Sequence, residues 1–222
     1  MPTPAASAPL SRFRRALEEA LAVVFPVWCA GCDVPDRDLC DDCRAALVPA
    51  PSSRVLSDGL EVRSALVFDG VAARVIRSFK EDGRTALAGP LGEALRAAWP
   101  EGVDAVPVTV PAARASLRRR GYAPVDLVAQ RAGWPPHPLL RVVRATADQR
   151  ELSRAERSAN LAGAFRVRER GLVGLGGRPV VLVDDVVTTG ATLAEAARAL
   201  GEAGVEVAGA VTIAATPRRG RA

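Results

Sequence analysis

The chain has 222 residues and few of the side chains that titrate near neutral pH or stack on flat ligands. It contains one lysine, one histidine and one tyrosine, and aromatic residues make up 4% of it. The histidine, His137, lies between prolines, so we expect a loop residue rather than a general base. Because aromatic residues are so few, the core must consist mostly of valine, leucine and alanine. Few aromatic side chains are available to stack on nucleic acid bases.

Long apolar runs are also absent, because no stretch approaches the roughly 18 to 20 uninterrupted apolar residues of a membrane span. Arginines precede an N-terminal apolar run, as in a signal peptide, but Glu18 and Glu19 interrupt it. No convincing cleavage site follows that run. We predict a disordered leader over residues 1–9, an amphipathic helix from residue 10, and a location in the cytoplasm.

Two common phosphate-binding fingerprints are missing as well. The chain has neither a Walker A motif nor G-x-G-x-x-G. It does have a net charge of +5 and a pI near 9.6, which suit an anionic ligand or nucleic acid without specifying either.

All four cysteines lie in one short stretch with the pattern C-x2-C-x7-C-x2-C, which comprises Cys29, Cys32, Cys40 and Cys43. Two such turns can surround Zn²⁺ with four thiolates. Two disulfides or a thioredoxin-like redox motif are the alternatives, but nothing indicates secretion and a redox motif needs a single C-x-x-C. A closed shell of four sulfurs predicts a structural zinc site, within a module that ends at residue 47.

Beyond this module, a Pro/Ser-rich stretch predicts a linker over residues 48–58. Strand and helix patterns then alternate over residues 59–216, and a basic tail occupies residues 217–222. Alternation of this kind predicts an α/β domain with a mostly parallel sheet and helices on both of its faces.

The stretch VVLVDDVVTTGAT predicts a ligand site at the end of a buried strand. Asp184 and Asp185 follow four apolar residues, and a Thr/Gly turn, 188–192, leads into a helix. Such a turn offers backbone N–H groups and the positive end of a helix dipole to a phosphate. The carboxylates suit neutral hydroxyls, so the pattern favours a ribose 5-phosphate. A plain helix cap is the alternative, but it needs fewer polar groups.

This stretch resembles the motif with which type I phosphoribosyltransferases bind 5-phosphoribosyl-1-pyrophosphate. Together with FPVWCAGC, SFKEDGR, RRRGY and ADQRELSRAERSAN, it makes residues 17–216 similar to the ComF/GntX family. The resemblance implies a zinc-ribbon-like module ahead of a phosphoribosyltransferase domain. Ala123 and Thr109 depart from the family pattern, where asparagine and proline are usual.

The resemblance also implies roles for particular residues. Asp184 and Asp185 would contact the ribose hydroxyls, and Mg²⁺ would accompany the pyrophosphate. The residues implied around the 5-phosphate and at the donor are Thr188, Thr189, Gly190, Ala191, Thr192 and Lys80. The arginines implied to stabilise the leaving charge, in a basic loop and in a mobile flap over Asp148–Asn160, are Arg118, Arg119, Arg120, Arg150 and Arg157.

Two functions from different classes fit this pattern. The first is a phosphoribosyltransferase whose acceptor the sequence does not identify. The second is a protein related to DNA uptake that keeps the phosphoribosyl site but binds single-stranded DNA or a partner such as a competence helicase-type protein.

Overall fold

The computed structural model describes residues 27–144 and 161–217. Several predicted features lie outside these residues. They are the leader 1–9, the helix predicted from residue 10, the flap Asp148–Asn160 with Arg150 and Arg157, and the basic tail beyond Pro217.

Seven strands are present in the described residues. They are β1 (Ser52–Val55), β2 (Glu61–Val67), β3 (Val106–Thr109), β4 (Leu140–Val142), β5 (Phe165–Val167), β6 (Val180–Val187) and β7 (Val207–Ala215). Five of them form one sheet in the order β1-β2-β7-β6-β3, while β4 and β5 pair separately and antiparallel. Neighbours among β2, β7, β6 and β3 are parallel, and β1 is antiparallel to β2. The predicted mostly parallel sheet is therefore confirmed.

Seven α-helices are present in the described residues, the first of them within the four-cysteine module. They are α1 (Asp41–Ala45), α2 (Gly70–Glu81), α3 (Ala88–Arg96), α4 (Arg114–Arg120), α5 (Pro124–Arg131), α6 (Glu169–Leu172) and α7 (Ala191–Glu202). Within the part of the chain that the model covers, no helix combines the length and the apolar character needed to cross a bilayer.

Strand β6 is apolar on both faces because it lies between β7 and β3 and is covered from above and below. Val181 and Val183 pack into a core shared with α2, α3, α5 and the four-cysteine module. Val180 and Leu182 pack into a second core with α7. The polar end of β6 therefore emerges between two apolar layers, at the carboxyl edge of the sheet.

The linker predicted over residues 48–58 needs correction, because β1 lies within it and pairs with β2 from Ser52↔Ser64 to Val55↔Glu61. The sheet thus begins before residue 59. Edge strands are often short and polar, and Ser52 and Ser53 gave this one the composition of a linker.

Candidate functional site

The four cysteines come together in space, as their spacing predicts. Their Sγ atoms all lie within 4.8 Å of one another, and those of Cys32 and Cys40 are 3.6 Å apart. Four thiolates at a Zn–S distance of about 2.3 Å form a tetrahedron with edges of about 3.8 Å. All four are free thiols, so the cluster fits one metal ion rather than two disulfides.

Backbone N–H groups point at the sulfurs of this cluster. Gly31 and Cys40 donate to Cys29 Sγ at 3.4 Å and 3.3 Å, and the N–H of Cys43 donates to Cys40 Sγ at 3.4 Å. Burial raises the pKa of the Cys29 thiol, but hydrogen bonds from the backbone of Cys40, Gly31 and Cys32 outweigh it and lower the pKa to about 6. Thiolates stabilised in this way are the form that binds metal.

The second site lies at the carboxyl end of β6, where Asp184 and Asp185 point to opposite faces of the sheet. Asp184 shares its face with Thr212, its partner on β7, which in turn lies opposite Ser64 on β2. The hydroxyls of Ser64 and Thr212 are 2.7 Å apart and buried. Two hydrogen-bonded hydroxyls, from Ser64 and Thr212, thus lie on the neighbouring strands next to Asp184.

On the other face, Asp185 forms an ion pair with Lys80. Lys80 Nζ lies 2.5 Å from Asp185 Oδ2, and both side chains are largely buried. Burial lowers the pKa of Lys80, but the Asp185 carboxylate outweighs it, so the net pKa is raised. The structure thus brings the one lysine of the chain to the predicted donor site, although the two residues lie far apart in sequence.

Each carboxylate also accepts a hydrogen bond from the backbone N–H of the following residue. Asp184 Oδ1 accepts from the N–H of Asp185 at 2.8 Å, and Asp185 Oδ1 accepts from the N–H of Val186 at 2.6 Å. Burial and the neighbouring Asp185 charge raise the pKa of Asp184 to about 7, against the opposing effects of its backbone hydrogen bond and Lys80. Such a shift is typical of carboxyl groups at functional sites.

The three clustered arginines do not act as one group. They lie on helix α4 rather than in the predicted loop, and Gly121 ends this helix with a φ of 77°. Arg118 and Arg119 are exposed, whereas Arg120 is partly buried and close enough to Lys80 to lower its pKa. Within the described residues, the Nε of Arg120 is buried without a hydrogen-bond partner.

The turn between β6 and α7 is a glycine turn that opens a helix N-terminus, in the order that the sequence pattern predicts. Gly190 has a φ of 85°, in the left-handed region that favours glycine, and it caps the 12-residue helix α7. Ala191 donates its N–H to Thr189 Oγ1 at 3.3 Å. Thr188 is exposed, and Thr192 lies partly buried in the first turn, where helical N–H groups have no partner within the helix.

Sequence reasoning missed Leu56, which forms the back of this loop. A Cβ atom on Gly190 would lie 2.5 Å from Leu56 Cδ1, so the leucine fills the space that a side chain would need. Leu56 enters the turn between β1 and β2, where its N–H donates to Leu60 O at 2.9 Å. An Asp-Gly pair between two apolar runs, in RVLSDGLEV, was the hairpin signal that could have revealed it.

Comparisons with known proteins agree with this architecture. Residues 115–222 match the model of the phosphoribosyl transferase domain family. The "DNA utilization protein YhgH" of Escherichia coli (strain K12) is 40% identical over 109 residues, which are 45% of this chain and 46% of that protein. The protein of the same name from Salmonella typhi is 42% identical over 88 residues, or 37% of each chain.

A third relative is the "Competence protein F" of Haemophilus influenzae, which is 40% identical over 93 residues, or 40% of each chain. The chain spans less than half the length of these curated relatives. The match to the domain model covers α4, β6, the glycine loop and α7, which include most of the second site. Residues 115–222 are therefore similar to the phosphoribosyl transferase domain family, and a four-cysteine cluster that could bind a metal lies ahead of them. Part of the chain is also similar to these DNA utilization and competence proteins.

Proposed function

We propose that this chain binds 5-phosphoribosyl-1-pyrophosphate at the end of β6 and transfers its phosphoribosyl group to an acceptor. One arrangement carries the proposal: Asp184 and Asp185 directly precede a glycine loop that opens the N-terminus of α7. The helix N-terminus suits a phosphate dianion, and the carboxylates suit the hydroxyls of a ribose. The domain match over residues 115–222 supports this reading.

In this proposal the loop 188–192 surrounds the 5-phosphate, and the two carboxylates accept hydrogen bonds from the ribose hydroxyls. Lys80 and Arg120 supply positive charge beside the carboxylates, where the pyrophosphate would lie. Mg²⁺ enters with the pyrophosphate as part of the donor, so we assign it no ligand from the protein. Arg150 and Arg157 remain candidates from the sequence alone.

The reaction breaks the bond between ribose C1 and a pyrophosphate oxygen, and the electron pair leaves with the pyrophosphate. The acceptor's nucleophilic atom forms the new bond to C1. Because negative charge grows on the leaving group while positive charge grows on the ribose, cations fixed near the pyrophosphate lower the barrier. Lys80 and Arg120 are the described side chains to which we assign this role.

Calorimetric titration with Mg²⁺ and the donor tests the first half of the proposal. We expect saturable binding by the wild type, and about 100-fold weaker binding by the Asp184→Ala/Asp185→Ala variant, because two charged hydrogen-bond acceptors are lost. A control with the same change of charge is Glu101→Ala/Asp104→Ala, at two exposed acids. Absence of binding by the wild type would rule out the donor site.

Release of pyrophosphate tests the second half. Wild-type protein is incubated with the donor and a panel of nucleobases and amines, and pyrophosphate is measured enzymatically. We expect release with one acceptor class and its loss in the Lys80→Ala variant. Donor binding without release for any acceptor would favour a site that binds but does not transfer.

A second candidate function is non-catalytic binding of single-stranded DNA, or of a helicase-type competence protein, by a chain that keeps the donor site. The names of the relatives, which refer to DNA utilization and competence, support it. Residues 27–47 contain five aspartates and two arginines, so the module would repel phosphate groups. We therefore assign DNA contact to the exposed arginines of α4, Arg118 and Arg119, rather than to the cysteine module.

Fluorescence anisotropy with a labelled oligonucleotide at several salt concentrations tests this assignment. Arg118→Ala/Arg119→Ala should lower the salt dependence of log K by about 0.7 for each lost phosphate contact. Arg37→Ala/Arg44→Ala, on the module, should leave it unchanged. A lower salt dependence in Arg37→Ala/Arg44→Ala, with none in Arg118→Ala/Arg119→Ala, would instead place the DNA interface on the module.

We propose that the four-cysteine cluster is a structural zinc site. The tetrahedral fit of its sulfurs and the N–H groups that point at them support this. Elemental analysis should find one zinc ion per chain, and Cys29→Ser/Cys32→Ser should abolish it. Iron at the same stoichiometry would identify a different metal for the same four ligands.

A further inference from the structure

We propose that the four-cysteine module positions Lys80 in the donor site, so that metal binding by the module and donor binding are coupled. This inference rests on the proposed function for its second experiment only. The connection is helix α2, which contacts the module in its first two turns, through Val71 and Arg74, and presents Lys80 to Asp185 at its end.

The first contact lies between the metal turn, which is the first C-x2-C turn (residues 29–32), and the start of α2. A Cβ atom on Gly31 would lie 2.5 Å from Cys43 Sγ and 3.0 Å from Val71 Cγ1, so the turn is held between its own cysteine and the helix. Cys29 and Cys43 share one buried core with Val75, Ile76 and Phe79 of α2, among other residues. Unfolding of the metal turn would therefore expose the apolar face of α2.

Two ion pairs link the module to α2 and to the segment that follows it. Arg74, in the second turn, pairs with Asp33. Arg84, three residues beyond the helix, donates to Asp38 Oδ1 at 2.9 Å and to Asp38 O at 2.9 Å. Ala30 also donates its N–H to Asp38 O at 2.9 Å. The Asp38 carbonyl, which lies between the two cysteine pairs, therefore accepts hydrogen bonds from both Ala30 and Arg84.

The far end of α2 carries the functional contacts. Phe79 is fully buried, and its carbonyl oxygen accepts a hydrogen bond from the Tyr122 hydroxyl, two residues beyond Arg120. Lys80 follows and reaches Asp185. Arg74 lies six residues before Lys80, or about 9 Å along the helix axis. A regular helix moves as one body over this distance, so a shift at the module displaces the Lys80 ammonium.

In this proposal the module needs its metal for a fixed shape, because four thiols, three of them buried, lie within 4.8 Å of one another. Metal binding then orders the surface against which α2 packs.

The first experiment uses Lys80 itself as the reporter, since it is the one lysine of the chain. Reductive methylation with ¹³C-formaldehyde labels its amine and the N-terminus, and the lysine resonance is identified by its loss in Lys80→Arg. We expect the zinc-bound protein to show a shifted and broadened methyl signal. In Arg74→Ala/Arg84→Ala, which keeps all four cysteines, we expect it to become narrow and to move towards the position of a free lysine.

Arg166→Ala/Arg178→Ala is the matched control, because it removes two arginines from surface ion pairs that do not involve the module. Circular dichroism and zinc content establish that both variants are folded and metal-bound. An unchanged Lys80 signal in the Arg74/Arg84 variant would overturn the proposal, as would an equal change in the control.

The second experiment measures donor affinity by calorimetry. We expect Arg74→Ala/Arg84→Ala to bind the magnesium complex of the donor about tenfold more weakly than the wild type, and the control to bind it equally well. In a Lys80→Ala background the same pair of changes should have no further effect. Equal donor affinity in the wild type and the variant would refute coupling and leave the donor site intact. If the wild type binds no donor, the proposed function fails, and the Lys80 resonance alone decides whether the module positions Lys80.

Discussion

Substitution of Gly190 by alanine probes the phosphate loop at its most constrained point. Two costs follow from the geometry. A φ of 85° costs an L-residue roughly 1–2 kcal/mol. The new Cβ would also lie 2.5 Å and 2.6 Å from the Leu56 methyl carbons, and overpacking of this kind costs about 1–3 kcal/mol. Because these methyl groups end a flexible side chain, we expect a total near the lower end, about 2–3 kcal/mol.

Gly204→Ala is the matched control. Gly204 has a φ of 72°, and a Cβ there would have no described heavy atom within 4 Å beyond its chain neighbours. Only the conformational cost applies, so we expect about 1–2 kcal/mol from urea unfolding. The difference between the two variants isolates the contact with Leu56. Equal costs at the two positions would refute the steric part of the reasoning.

Two further measurements complete this test. In a Leu56→Ala background, Gly190→Ala should cost about 1 kcal/mol less than it does alone, because the two sites are in contact and their effects are not additive. Donor affinity should fall with Gly190→Ala and stay constant with Gly204→Ala, since only the first lies in the loop that we assign to the 5-phosphate.

Three other predictions concern buried polar groups. The raised pKa of Asp184 means that its carboxyl binds a proton more tightly in the folded chain than in the unfolded chain. Its contribution to stability should therefore fall as pH rises from about 4 to about 7. In Asp184→Asn, the free energy of unfolding measured in urea should vary less over that range. Burial raises the pKa of Glu195, but paired contacts with Arg198 at 2.7 Å and 2.8 Å outweigh it and lower the pKa. This stabilisation should be present above pH 4.5 and be lost as pH falls, with a flatter acid limb in Glu195→Gln. Ser64→Ala removes the buried hydroxyl beside Thr212 and should cost about 1 kcal/mol, whereas Ser52→Ala, at an exposed position on β1, should cost less than about 0.5 kcal/mol.

Features that depend on local sequence could be predicted before the structure. The cysteine cluster follows from two C-x2-C turns, and the order of strand, acids, glycine loop and helix follows from the pattern over 180–200. In both cases the interacting groups are close in the chain, so spacing alone determines which of them meet. The parallel sheet follows from the alternation of elements, and the structure confirms it.

Features that depend on long-range packing could not be derived in this way. The family resemblance placed Lys80 at the donor, but its contact with Asp185 depends on where α2 crosses the sheet. Helix α4 consists largely of arginines and lacks an apolar stripe, so it gave no helical period and was predicted as a loop. Leu56 reaches Gly190 from an edge hairpin whose serines resemble a linker.

The two adjacent acids at the end of β6 acquire separate roles from the alternation of a strand. Side chains of consecutive residues project to opposite faces, so Asp184 and Asp185 enter different surroundings although they are neighbours. Asp185 meets Lys80 and is held as a partner of a cation, while Asp184 lies beside buried hydroxyls and keeps a proton to about pH 7. A ligand that reaches both must separate Lys80 from Asp185 or bridge them, and must favour the ionised form of Asp184. A ribose bearing a pyrophosphate can do both, because its hydroxyls donate to carboxylates while its phosphates attract the ammonium that Asp185 releases.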